Sequence, residues 1–330
     1  MIKKDNLKST VNGLFALFLF VKVLLIFILF MSRNFLSFFI ENYTEHSSSK
    51  ILNDLFSYNT LSGLLIMIVI PIISLFIPTC LYLYLSKSKY EDVVKSRKPT
   101  VLEVLCTIGT TIFFANIASA LTQIILSLFK SIFNIPYVTY ETQTPTNIYL
   151  IPLFIIVIAV MPGLLEEFLM RGVALNKLHK FGNGFTVFIS AFVFSMLHNT
   201  IEQMLFAFVA GLFLGIYAIK FESMWVAVLG HFVLNFYSAI VQLFMKIIDT
   251  DAGTLFYIIF MLTFSFTVFC LMITSFVLYG LKMPKDKVTD FAPTYAKMGA
   301  VFTSPFFYSF VICTLLVVGI NILEMFMLRG

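Results

Sequence analysis

Apolar runs of about twenty residues, separated by short polar stretches, recur along nearly the whole chain. Crossing the hydrocarbon core of a bilayer takes about 20 mostly apolar residues in a helix. Runs of that length lie at 13–32, 60–86, 101–129, 148–176, 184–201, 203–219, 223–246, 254–281 and 301–326. The pattern predicts an all-α, polytopic membrane helix bundle with eight or nine transmembrane helices. The fifth and sixth runs are the shortest and are joined by only a few residues around Asn199–Glu202.

Composition narrows the class further. The chain is 60% hydrophobic and 12% charged, with 40 phenylalanines among 330 residues, whereas soluble domains are roughly a quarter charged. The net charge of +5 is spread over short loops rather than gathered in one basic tract, so nucleic acid is not an indicated partner. The opening MIKKDNLK and the apolar run from Leu14 to about Met31 resemble a signal peptide. The run is longer than a usual signal core and no A-x-A-like site follows it, so it reads as a retained first span. Cys80, Cys106, Cys270 and Cys313 all fall in apolar stretches without metal-ligand spacing, which reads as packing.

Lysines and arginines in the loops set the orientation. With the N-terminus inside, fifteen lie on inner segments and five on outer ones, while Lys22 and Arg171 remain within spans. An integral membrane protein with a cytoplasmic N-terminus is expected, and the Phe-, Ile- and Lys-rich composition hints at a bacterial cell membrane. No repeat or soluble domain interrupts the chain, which reads as one integral membrane domain over 1–330. The chemistry-bearing core occupies about 148–248, and flanking spans occupy 1–147 and 249–330. The longest polar stretches, about 33–59, 87–100, 130–147 and 282–300, read as connecting loops.

Against this background a few polar residues stand out. Glu166, Glu167 and Arg171 lie in PGLLEEFLMRG, His198 closes FVFSMLH, and His231 and Asn235 lie in LGHFVLNF. An ionisable side chain at bilayer depth costs roughly 2.5–3.5 kcal/mol even on the lenient insertion scale, so such groups are kept for a reason. Residues four apart share a helix face, whereas neighbours point about 100° apart. Glu167 and Arg171 are therefore expected to pair, leaving Glu166 free. Pro162-Gly163 is placed to kink the helix before them. Phe194 and His198, and likewise His231 and Asn235, each define a face by the same spacing. Span midpoints, however, set His198 on the order of 10 Å farther out than Glu166 and His231.

Hydrolysis of a peptide bond needs an activated water, a proton donor for the leaving amine and donors for the oxyanion. Glu166 can serve as base, His198 can hold the water or move protons, and His231 with Asn235 can offer N–H donors. No G-x-S-x-G or H-E-x-x-H signature is present, which argues against a serine nucleophile and against the common zinc site. Two histidines and a carboxylate (Glu166, His198, His231) remain a conceivable ligand set for zinc or another divalent metal. Arg171 close by weighs against it.

E-E-x-x-x-R at 166–171, F-x-x-x-H at 194–198 and H-x-x-x-N at 231–235 together resemble the three motifs of the CPBP family. Its members are the type II CAAX prenyl proteases and their bacteriocin-processing, Abi-like relatives. Order and spacing match, as does Gly172 after the arginine, and the resemblance covers roughly residues 150–245. It implies an all-α intramembrane endopeptidase in which a glutamate activates water without a required metal. By position it implies Glu166 as catalytic base, His198 as its assistant, His231 and Asn235 as the oxyanion site, and Glu167 with Arg171 as structural support. It also implies a membrane-associated peptide or protein substrate, met in peptide or pheromone maturation, bacteriocin self-immunity or CAAX trimming. A family habit of metalloprotease labels keeps zinc as the alternative cofactor.

Two other classes compete with this reading. Buried carboxylates and histidines also suit a proton- or cation-coupled transporter, although no paired repeat is visible. The motif residues could also hold together a non-catalytic peptide-binding protein. Ala207, Gly211 and Gly215 form a small-x-x-x-small stripe expected to serve close packing. Lys22 is expected to snorkel or pair locally, and His46 and His179 are placed in loops.

Overall fold

The computed structural model describes residues 4–43, 55–88, 97–133, 144–245, 251–280, 282, 284 and 293–327. Among them are helices and no strand. The helices are α1 (Lys4–Tyr43), α2 (Leu61–Leu85), α3 (Val101–Phe133), α4 (Ile148–His179) and α5 (Asn183–Leu197). They continue as α6 (Ile201–Lys220), α7 (Met224–Met245), α8 (Asp251–Tyr279), α9 (Thr294–Phe302) and α10 (Pro305–Met327). All but α5 and α9 are long and apolar enough to cross a membrane, eight in total among the described residues.

The fifth expected span is the main departure. In place of a helix over the whole of 184–201, α5 is a 15-residue helix that ends at Leu197. At 1.5 Å per residue it reaches about 22 Å, short of the roughly 30 Å hydrocarbon thickness. Residues 198–200 then turn the chain back into α6, and the Ser195 hydroxyl donates across the turn to the Met204 carbonyl at 2.7 Å. The last span also starts later than expected, at Pro305, because α9 precedes it as a separate helix broken off at Thr303 and Ser304. Helical structure also extends through part of three stretches read as loops, to Tyr43 in α1, to Phe133 in α3 and over Thr294–Phe302. His179 is the last residue of α4 rather than a loop residue, and His46 lies outside the described residues. Of the cysteines, only Cys106 is buried, and Cys270 is exposed on α8.

Two helices share one way of accommodating proline. Ahead of Pro78 in α2, residues Ile72–Phe76 are π-helical, and ahead of Pro162 in α4 so are Ile156–Val160. A proline removes an N–H and its ring clashes with the carbonyl four residues back. One wider turn relieves both, so the helix continues rather than breaks. Only α4 has a further π-helical stretch, Phe168–Leu175, which carries Arg171. There the Asn176 side chain donates to the Arg171 and Gly172 carbonyls at 3.1 and 3.0 Å.

Small residues set the helix spacing. On α6, Gly211 faces Ala191 and Phe194 of α5 so closely that an added Cβ would stand 3.2 Å from each. One turn on, Gly215 faces Val187, and Ala207 one turn before is buried. The expected packing stripe therefore binds α6 to α5. Gly163 does the same for α4, where an added Cβ would lie 3.2 Å from the Phe232 backbone nitrogen on α7. The largest apolar core lies where α1, α4, α5 and α10 meet, around Phe15, Phe18, Leu169, Val193 and Phe310.

Candidate active site

Arg171 anchors the motif residues. It is buried, and its Nη1 lies 2.9 Å from each Glu167 oxygen, donating to Oε1. Its Nη2 donates to the Gly211 carbonyl at 2.8 Å. The i, i+4 pair read from the sequence therefore forms, and it also ties α4 to α6. A buried carboxylate left alone would be strongly destabilising, and here the guanidinium compensates it.

Glu167 holds the second histidine as well. His231 Nδ1 stands 2.9 Å from Glu167 Oε1. A carboxylate oxygen accepts, so Nδ1 carries the proton and donates. With the imidazole neutral, Nε2 then holds a lone pair, which accepts from Asn235 Nδ2 at 3.1 Å. A continuous chain thus runs from Gly211 through Arg171, Glu167 and His231 to Asn235. It fixes the imidazole tautomer and orients the amide, one of whose two N–H groups is left over. In this arrangement the neutral His231 accepts at Nε2 and Asn235 is the group with a spare donor.

His198 arrives by a different route. It is the residue that ends α5, with extended backbone (φ −75°, ψ 144°), rather than a residue inside a span. Its Nδ1 lies 2.8 Å from the Phe194 carbonyl, so Nδ1–H donates there and the neutral ring's lone pair is on Nε2. The F-x-x-x-H spacing thereby acquires a physical basis. Phe194 accepts this hydrogen bond through its carbonyl, and its ring meets His198 edge-on at 5.1 Å and His231 at 5.6 Å between centroids. The Arg171 guanidinium lies 5.4 Å from the same ring, within cation–π range. Phe194, in the last turn of α5, meets both histidine rings, so the end of α5 lies beside His231 of α7 despite the offset expected from span midpoints.

Glu166 points away from the Glu167 network, as the 100° step between helix neighbours requires. It is partly exposed, and its carboxylate has electrostatic interactions with His198 and with Arg171. No hydrogen bond to its side chain is found among the described residues. Glu166 and His198 Nε2 are thus the uncommitted acid–base atoms of the cluster, whereas Glu167 and both His231 nitrogens are engaged.

The same commitments bear on a metal. Among the described residues no three of His, Cys, Asp or Glu are placed to hold an ion together. Of the ligand set Glu166, His198 and His231, His231 has no nitrogen free in this arrangement. As they stand the three do not fit a metal.

Three further residues, which residue spacing does not assign to the site, support it. Gly163 and the Gly211 carbonyl act through backbone approach, which spacing does not reveal. Lys22 is different: it is wholly buried and bonded to the end of α5, not snorkelling. A lysine in the middle of the first apolar run was itself the signal.

Neither the curated proteins nor the solved structures gave a match to this chain. Residues 148–237 match the family model for type II CAAX prenyl endopeptidase, Rce1-like. That interval holds all three motifs and the whole hydrogen-bonded chain from Arg171 to Asn235. Over these residues the chain is similar to the type II CAAX prenyl endopeptidases, the intramembrane protease family that its motifs resemble.

Proposed function

We propose that the protein hydrolyses a peptide bond in a membrane-associated peptide or protein, using water activated by Glu166. The observation that carries this reading is the division of the polar cluster. Glu167, Arg171, His231 and Asn235 are bonded to one another, while Glu166 and His198 Nε2 keep their lone pairs and interact electrostatically. A structural cluster would leave no such pair over.

Glu166 takes a proton from water as its oxygen attacks the scissile carbonyl carbon, and His198 Nε2 orients that water. The carbonyl oxygen becomes an oxyanion and accepts from the spare N–H of Asn235, which His231 and Glu167 hold in place. The carbon–nitrogen bond then breaks, and the proton held by Glu166 passes to the departing amine. No metal is required in this scheme. A prenylated CAAX peptide is the first substrate class to try, and a secreted peptide or bacteriocin is the class suggested for a bacterial chain.

The test uses the full chain in nanodiscs with a quenched-fluorescent, farnesylated CAAX peptide and an unprenylated membrane peptide. Glu166→Gln should lower the cleavage rate by about 10²–10⁴-fold while the thermal melt stays unchanged. Wild-type rates in Glu166→Gln and His198→Ala would end the peptidase reading. Cleavage should also survive a chelator, and loss of activity restored by zinc would reverse the metal-free scheme.

A further inference from the structure

We infer that Lys22, on the first helix and outside the family-matched interval, is a positioning residue for His198. The inference rests on reading His198 as part of the site. It starts from the abrupt end of α5. A helix C-terminus leaves carbonyls without intrahelical donors and carries partial negative charge, and inside a bilayer no bulk water is at hand to satisfy them.

The Phe194 carbonyl is met by His198 itself, and the side chains that approach the Met196 and Leu197 carbonyls come from the flanking helices. The Lys22 ammonium donates to the Met196 carbonyl at 2.8 Å and to the Leu197 carbonyl at 3.3 Å. The Thr314 hydroxyl of α10 lies 3.0 Å from the same Met196 carbonyl and shares its one proton with the Phe310 carbonyl, also at 3.0 Å. Past the turn, Asn321 of α10 donates to the Asn199 carbonyl at 3.0 Å. Lys22 and Thr314 have no exposed surface. His198 is the next residue after Leu197 and has an electrostatic interaction with Lys22 as well as with Glu166 and His231.

The consequence is a division of labour across the family boundary. The matched interval supplies His198, but α5 is too short to be held by both faces of a membrane. Its free end is held by α1 and α10, whose donors decide where α5 stops and hence where the imidazole stands. A lysine that only snorkelled would reach water, and one that only packed would not meet two carbonyls at the last turn of the motif helix.

The experiment compares wild type with Lys22→Met, which keeps the length of the side chain and removes the ammonium. Two readouts are taken in nanodiscs: cleavage kinetics of the farnesylated CAAX peptide, and imidazole ¹⁵N resonances of labelled protein assigned with His198→Gln. Lys22→Met should lower kcat on the order of 10²-fold, the loss that a misplacement of about 1 Å can bring, with KM little changed. The His198 resonances should move while those of His231 stay. A folded Lys22→Met protein with wild-type kcat and an unmoved His198 signal would overturn the inference. If Lys22→Met fails to insert, Thr314→Val decides: it should shift the same His198 signal by less, and no shift overturns the claim. If wild type cleaves neither peptide, the proposed function fails, and the resonance shift still decides the role of Lys22.

Discussion

α7 and α8 follow one another in the chain and both pack against α3, yet they meet opposite surroundings. Of the apolar stretch in α7, 44% of the residues are buried inside the bundle, against 11% in α8. α7 carries His231 and Asn235, and both have partners. After Asp251, α8 carries no Asp, Glu, Lys, Arg or His at all, and Leu262, Phe266 and Val277 stand exposed along it. The only fully buried polar side chain on its described face is Ser275, which meets Tyr217 of α6. The contrast teaches that, of these two helices, the one that carries a buried histidine is the one to which another helix supplies a partner for it. The more polar helix is the more enclosed one.

The contrast breaks most visibly at Arg171. Replacing it with Met leaves Glu167 charged, buried and uncompensated, a loss of about 3–5 kcal/mol that a melt in detergent should register. The double variant Glu167→Gln/Arg171→Met should recover more than half of that loss, since replacing a whole buried pair is far cheaper than breaking it. A double variant as unstable as the single one would show that the pair does more than neutralise itself.

Two glycines sharpen the comparison at smaller size. Gly163→Ala pushes α4 from the Phe232 backbone on α7, and Gly109→Ala pushes α3 from Leu271 on α8. Each should cost about 1–3 kcal/mol, the usual penalty for overpacking. Only Gly163→Ala should also lower cleavage per folded molecule, because only it moves Glu166 relative to His231. Equal activity losses in both would blur the distinction between the enclosed core and the flank. Least of all should happen at Phe266→Ala on the exposed face of α8, where the change in melting free energy should stay within about 0.5 kcal/mol.

Much of the site was legible along the chain because helical periodicity ties spacing to geometry. Glu167 and Arg171 four apart had to share a face, and they pair. His231 and Asn235 four apart had to meet, and they do. Glu166, one residue before Glu167, had to point elsewhere, and it is left uncommitted. Periodicity failed where a helix ended. His198, Asn199 and Thr200 mark a junction near the end of the run 184–201, but nothing in the apolar pattern sets the end of the helical backbone at Leu197. The stop depends on Lys22 and Thr314, which lie more than a hundred residues away and act on backbone carbonyls that no side-chain pattern encodes.

Apolar run length and residue spacing alone therefore settle that this chain is a helical membrane bundle and which polar side chains share a helix face, because both follow from local backbone geometry. Tertiary structure decides which of those faces meet, where α5 ends and which carboxylate stays unpaired. Those outcomes depend on donors and acceptors from distant helices, and burial away from water makes satisfying them compulsory.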